Sequence, residues 1–284
     1  MAGFRRGIFQ RFDPEGPRIP LMIDISRSGR EYPEEFRSQV PFTTLHDNVS
    51  MYVDDLWEEA PKYGATILYA SFPSFWIDAN RNELDIDAEL LAEEWPVPLK
   101  PTISKRGLGL LKSKSRYGEP VHERKLTVAE VMERITKYHR PYYAELKRNI
   151  DSLKAEFGFV YHLSCHCMSA IGAPTHPNPG VQRADFCLGD GNGRTASPSF
   201  LAFVRSVIEG EGHSCTINMP YDGGELNDRF GDPKAGVESL MVEINKKLFM
   251  DVKTFRKNEG FERTKADVTR IVGKIAEQVR AKMR

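Results

Sequence analysis

No apolar run in this 284-residue chain approaches the ~18 residues that mark a membrane-spanning helix. The first dozen residues are basic but lack the apolar stretch of an export signal, so Arg5-Arg6 carries little weight as a twin-arginine mark. Cysteine is scarce: Cys165, Cys167, Cys187 and Cys215 read as thiols rather than a disulfide framework in a chain with no export signal. Charge of one sign is not in excess. Forty Lys+Arg balance forty Asp+Glu, which speaks against a dedicated nucleic-acid binder. Internal repeats, low-complexity linkers, a Gly-x-Ser-x-Gly elbow and a phosphate-cradling Gly-Lys-Thr/Ser loop are all missing. The chain is 40% hydrophobic and 10% aromatic, enough for a sizeable core and too much for disorder. The expectation is a cytoplasmic globular protein with neither a nucleic-acid nor a membrane partner. The sequence is silent on oligomeric state.

Short apolar runs alternate with helical periods, which predicts an α/β fold in one domain spanning 1–284. Strands are expected at residues 21–26, 65–72, 159–165, 184–188, 214–219 and 240–245. Val49, Val53, Leu56 and Ala60 carry helical spacing. Thr127 opens a capping box with Glu130, and Pro141 should kink or break the helix that follows. A shorter helix is expected at 199–209. A C-terminal helix is expected at about 264–283, capped by Thr264 and Asp267, with Val268, Ile271, Ile275 and Val279 facing inward. Residues 100–125 are basic and read as a solvated surface excursion.

Polar residues cluster where strands should end, the edge at which open α/β sheets bind ligands. Arg27 and Ser28 follow the first strand. Asp78, Asn80 and Arg81 follow Phe75-Trp76-Ile77, and His166 ends another strand. His162, Ser164 and His166 alternate and therefore share a face. Two imidazoles so placed can hold one metal, or each can be a satisfied core histidine. Glu243 lies between Val242 and Ile244. A carboxylate there is either paired with an arginine or kept for acid–base work. Residues 165–167 offer soft ligands, but no second cysteine pair stands at zinc-finger spacing. The run from Gly189 to Arg194 lacks the third glycine of a dinucleotide fingerprint and the closing glutamate of a calcium loop, so it reads as a tight polar turn.

Ordered blocks across residues 20–252 resemble the N-formylglutamate amidohydrolase (deformylase) family. Residues 20–33, Pro-Leu-Met-Ile-Asp-Ile-Ser-Arg-Ser-Gly-Arg-Glu-Tyr-Pro, resemble its strand and Pro-His-Ser-Gly turn. Tyr52-Val-Asp-Asp-Leu-Trp57, Ile77-Asp-Ala-Asn-Arg81, Tyr138-His-Arg-Pro-Tyr142, Cys165-His-Cys-Met168 and Ala184-Asp-Phe-Cys-Leu-Gly-Asp190 follow in order. Asn218-Met-Pro-Tyr-Asp-Gly-Gly224, Phe230-Gly-Asp-Pro233 and Val242-Glu-Ile-Asn-Lys-Lys-Leu-Phe-Met-Asp251 complete the series. The resemblance implies a mixed sheet of about eight strands sandwiched by helices, similar to the zinc carboxypeptidases. It implies cleavage of the amide bond of a small N-acyl amino acid, such as N-formylglutamate, at zinc. His166 would be a metal ligand, with Asp54 a second or Asp47 in its place. Glu243 would be the general base. Asn80 and Arg81 would grip a substrate carboxylate, unless Arg81 is a salt-bridge partner of Asp78.

The departures fall on the presumed site. Arg27 stands where the family has its first metal-binding histidine, Ser164 where it has an aspartate, and Tyr143 where it has a histidine. After Gly224 the chain continues Glu225-Leu-Asn-Asp-Arg229 instead of with an Arg-His pair. A guanidinium has no lone pair to give a metal, and a +1 charge ~4 Å from a +2 ion costs ~8 kcal/mol at an effective dielectric of ~20. Three arrangements follow. Arg27 swings aside, for instance toward Glu31; or His162 replaces it as a ligand beside His166; or zinc is weak or absent and Arg27 is a fixed cation. Rival readings are a non-catalytic relative that binds an anion through Arg27, Arg81 and Arg229, and a metallohydrolase of another substrate class, such as a phosphoester.

Overall fold

The computed structural model describes residues 3–284. Eight strands form one sheet: β1 Gly3–Arg5, β2 Phe9–Phe12, β3 Leu21–Ile25, β4 Thr66–Ala70, β5 Val160–Met168, β6 Phe186–Gly189, β7 Cys215–Ile217 and β8 Val237–Asn245. Their order is β1-β2-β4-β3-β5-β8-β6-β7. The centre, β4-β3-β5-β8, is parallel, while β6 runs antiparallel to β8 and β2 to β4. The expected mixed eight-stranded α/β sheet is therefore what the chain forms. Its N-terminal hairpin, β1–β2, has no counterpart among the expected strands, because edge strands with one wet face carry little apolar signal. A two-residue pair, β9 Met250–Asp251 and β10 Arg256–Lys257, lies outside the sheet.

Period-two alternation decides what each face of the sheet carries. Leu21, Ile23 and Ile25 of β3, Tyr161, Leu163 and Cys165 of β5, and Leu240, Val242 and Ile244 of β8 join one core. Against it pack α2 (Val53–Trp57), α5 (Pro198–Gly210) and α7 (Phe261–Lys282); the short α1, Phe42–Asp47, precedes them. The other face holds Met22, Leu68, Val160 and Val237 under α3 (Val128–Arg134) and α4 (Arg140–Phe157). That second face also carries buried polar residues: Asp24, His162, Ser164, His166, Ser239 and Glu243. The functional groups thus sit on the α4 side of the sheet, and the closing helix α6, Glu225–Phe230, packs against β8.

Local rules explain the helices. Thr127 and Glu130 form the capping box that opens α3. A π-turn over Ile135–His139 joins α3 to α4 just before Pro141, so the helix is locally widened there and not broken. Two expectations need correction. The C-terminal helix begins at Phe261, so Thr264 and Asp267 lie inside it, and Asp267 accepts from His213 Nε2 at 3.0 Å. The helical spacing from Val49 yields only the five-residue α2 and a 3-10 turn at Ala60–Tyr63. The four cysteines are free thiols. Among the described residues no helix is long and apolar enough to cross a membrane.

Candidate active site

The site begins at the turn that follows β3. Arg27 leaves the sheet there and meets Asp78, which is fully buried. Its Nε donates to Oδ1 at 2.9 Å, and Nη2 stands 2.8 Å from Oδ2 without hydrogen-bond alignment. Lys112 Nζ donates to Asp78 Oδ2 at 2.9 Å and to the Ser74 carbonyl at 3.0 Å. One carboxylate thus holds two cations. Burial opposes its charge, but Arg27 and Lys112 hold its carboxyl well below the usual range. Arg27 is held above the ordinary guanidinium value because Asp78 outweighs its burial. Burial pushes Lys112 down to about 7 against the pull of Asp78.

Arg81 does not pair with Asp78. Its Nε donates to the Leu108 carbonyl at 3.0 Å and its Nη1 to the Asn80 carbonyl at 2.8 Å. Burial, reinforced by Arg27, lowers it to about 10. Asn80 is oriented unambiguously by its neighbours. Its Oδ1 accepts from the Leu226 N–H at 3.0 Å, so its Nδ2 donates to His166 Nε2 at 3.1 Å. Gly224 permits this approach, since a Cβ there would lie 2.5 Å from the Asn80 amide. Ser164 Oγ lies 3.1 Å from the same nitrogen. With Nε2 accepting, the imidazole proton belongs on Nδ1, which has no partner. Burial and Arg27 lower His166 to about 4, so the ring is neutral near pH 7.

Glu243 is His166's direct neighbour on the adjoining parallel strand. It is 5% exposed, and its Oε2 has no hydrogen-bond partner. Burial raises it to about 7, with Arg27 and Arg183 pulling the other way. Arg27, Asn80, Arg81, Lys112, His166 and Glu243 line one open cavity of about 550 Å³. Tyr221, held by Arg183 Nη1 at 3.0 Å, and Asn48 and Ser50 complete the inner wall.

Of the residues marked from sequence, Arg27, Asn80, Arg81, His166 and Glu243 come together. Four others do not. Asp54 pairs with Arg30 at 2.7 Å, and the wall after β3 is made by Asn48 and Ser50 instead. Asp47 pairs with Arg116 at 3.0 Å. Arg229 pairs with Glu225 and lies over the Tyr143 ring. His162 has both nitrogens bound, Nδ1 with Ser239 Oγ at 2.8 Å and Nε2 with Asp24 Oδ1 at 3.1 Å. Arg27 turns to Asp78 and not to Glu31. Lys112 was missed because its segment read as a wet loop. Yet Leu108, Leu110 and Leu111 are buried beside it, and that short apolar run was the available signal.

These residues do not fit a zinc ion. Among the described residues no cluster of three His, Cys, Asp or Glu stands ready for a metal. His166 has the Nε2 lone pair engaged and a proton on the other nitrogen, and a guanidinium occupies the position beside it.

The N-formylglutamate amidohydrolase family model matches residues 19–250. N-formylglutamate deformylases of Pseudomonas putida and Pseudomonas aeruginosa are each 25% identical over 238 residues, covering 82% of this chain and 83% of theirs. The crystal structure of N-formylglutamate amidohydrolase from Ralstonia eutropha JMP134 superposes with a TM-score of 0.91 at 37% identity, covering 97% of this chain and 99% of that one. A gene product of Agrobacterium tumefaciens shares the fold, with a TM-score of 0.61 at 17% identity, over 94% of this chain and 91% of that one.

Proposed function

The chain belongs to the N-formylglutamate amidohydrolase family, and from that premise we propose that it hydrolyses the amide bond of a small N-acyl amino acid in the cavity lined by Arg27, Arg81, His166 and Glu243. The single observation that carries this reading is Glu243: a buried carboxylate with a free oxygen, raised by burial to about 7. A general base works best when its pKa lies near the working pH. Glu243 takes a proton from the attacking water and returns it to the leaving nitrogen. Arg81, whose guanidinium has only carbonyl partners, takes the substrate carboxylate, and Asn80 fixes the ring of His166 beside the reacting amide. Zinc has no role in this reading.

Steady-state release of free amine from N-formyl-L-glutamate and a panel of N-formyl and N-acetyl amino acids tests it. Turnover of at least one, abolished in Glu243→Gln, is the expected result. A second reading, an anion-binding relative without turnover, is favoured by the mismatch between the site and a metal. Calorimetric binding of N-formyl-L-glutamate without any amine release would select it.

A further inference from the structure

Three buried polar atoms on residues that line the cavity make no aligned hydrogen bond: Arg27 Nη2, which stands 2.8 Å from Asp78 Oδ2, His166 Nδ1 and Glu243 Oε2. The first two are donors and the third is an acceptor. Native proteins rarely leave such atoms unpaired, and those that remain call for an explanation, such as a catalytic role or a bound ion or water. His166 and Glu243 are each more than nine-tenths buried. The donors are also rigidly set: Asp78, itself held by Lys112, fixes Arg27, and Asn80, pinned by the Leu226 N–H, locks the imidazole.

We propose that this pocket performs its hydrolysis without a metal, with Arg27 Nη2 and the Nδ1–H of His166 together holding the oxyanion that forms on the acyl oxygen. This rests on the reading of the pocket as an amidohydrolase site and supplies what that reading lacks, a group to polarise the carbonyl. The step balances. The oxygen of water bonds to the acyl carbon and its proton passes to Glu243. The carbonyl π pair moves onto the oxygen held by Arg27 and His166. When that pair returns, the C–N bond breaks and Glu243 hands its proton to the nitrogen. A carboxylic acid and an amine leave, and nothing is oxidised or reduced. A fixed guanidinium supplies the positive charge that a metal would bring, and preorganised donors of this kind are worth ~10²–10³-fold in kcat each.

The test combines metal content with kinetics on the intact protein. Zinc is measured in wild type as purified, and again after equilibration with excess zinc chloride and desalting. The kcat is compared before and after dialysis against a chelator. The expected result is far less than stoichiometric zinc in both samples and a kcat unchanged by the chelator. Arg27→Met should then lose ~10²–10³-fold in kcat with KM little changed, and Arg27→Lys should recover part of the loss. If Arg27→Met does not fold, Arg27→Lys and the zinc measurement still decide. Stoichiometric zinc with a chelator-sensitive kcat overturns the proposal, as does a folded Arg27→Met with full kcat. Either of those leaves the hydrolase reading intact. A wild type that turns over no N-acyl amino acid removes that reading and the oxyanion role with it.

Discussion

His162 and His166 stand four residues apart on one strand and face the same side of the sheet, yet their surroundings have nothing in common. Around His162 both ring nitrogens are used. Asn227 Nδ2 donates to Ser239 Oγ at 3.1 Å, the serine hydroxyl donates to His162 Nδ1, and His162 Nε2 donates to Asp24. Around His166 the network stops one atom short: Asn80 and Ser164 meet Nε2, Nδ1 is left over, and the neighbouring Glu243 is left over as well. The two rings carry their protons on opposite nitrogens. A saturated network stiffens a core and does nothing further. The unsaturated one, a turn of chain away at the cavity wall, is where a ligand completes the count. Identical residues on one face thus divide into scaffold and site by what neighbouring strands supply.

The largest expected effect attacks the unsaturated side. Glu243→Gln should fold and lose ~10²–10⁴-fold in kcat, the usual share of a general base. Retained turnover would put the chemistry elsewhere. The same substitution has a pH signature. Glu243's folded value, about 7, lies above its ordinary 4.5, so the folded protein binds the extra proton and stability falls as pH rises between those values. Denaturant melts at pH 5 and pH 8 should therefore show Glu243→Gln gaining on wild type at the higher pH, and kcat/KM of wild type should rise through pH ~7.

The next effect attacks the saturated side. Asp24→Ala leaves His162 and Ser239 without their terminal acceptor and should cost ~3 kcal/mol, the upper end of the penalty for leaving a buried donor unsatisfied. Urea unfolding measures it, and a loss below ~1 kcal/mol would mean that the network is not structural. Arg81→Ala should weaken binding of carboxylate-bearing substrates by ~2–4 kcal/mol and barely touch analogues lacking the carboxylate. Equal losses on both would reveal a fold defect. Smallest of all, His166→Asn should shift the unfolding free energy by only ~1 kcal/mol or less, because the ring has just one side of its hydrogen bonding engaged. A loss comparable to that of Asp24→Ala would erase the distinction between the two histidines.

Much of this division lay beyond the sequence. Alternation placed His162, Ser164 and His166 on one face, Glu243 was legible because a carboxylate stands out in an apolar run, and Arg27 because it follows a strand end. Which histidine is free was not legible. The partners that saturate His162 come from Asp24 and Ser239, 138 and 77 positions away, and only sheet order brings them together. Asp54 was drawn to the site by its motif, but Arg30, in the turn after β3, claims it first. Lys112 was hidden because a lysine in a basic segment looks wet, while a single buried aspartate decides otherwise.

The account turns on the protonation of His166, and nitrogen NMR of the labelled protein reads it directly. The prediction is a proton on Nδ1, a bare Nε2 and no titration until pH falls to about 4, unchanged by added zinc. A proton on Nε2, titration near the ordinary 6.5, or a shift of either nitrogen on stoichiometric zinc would contradict it.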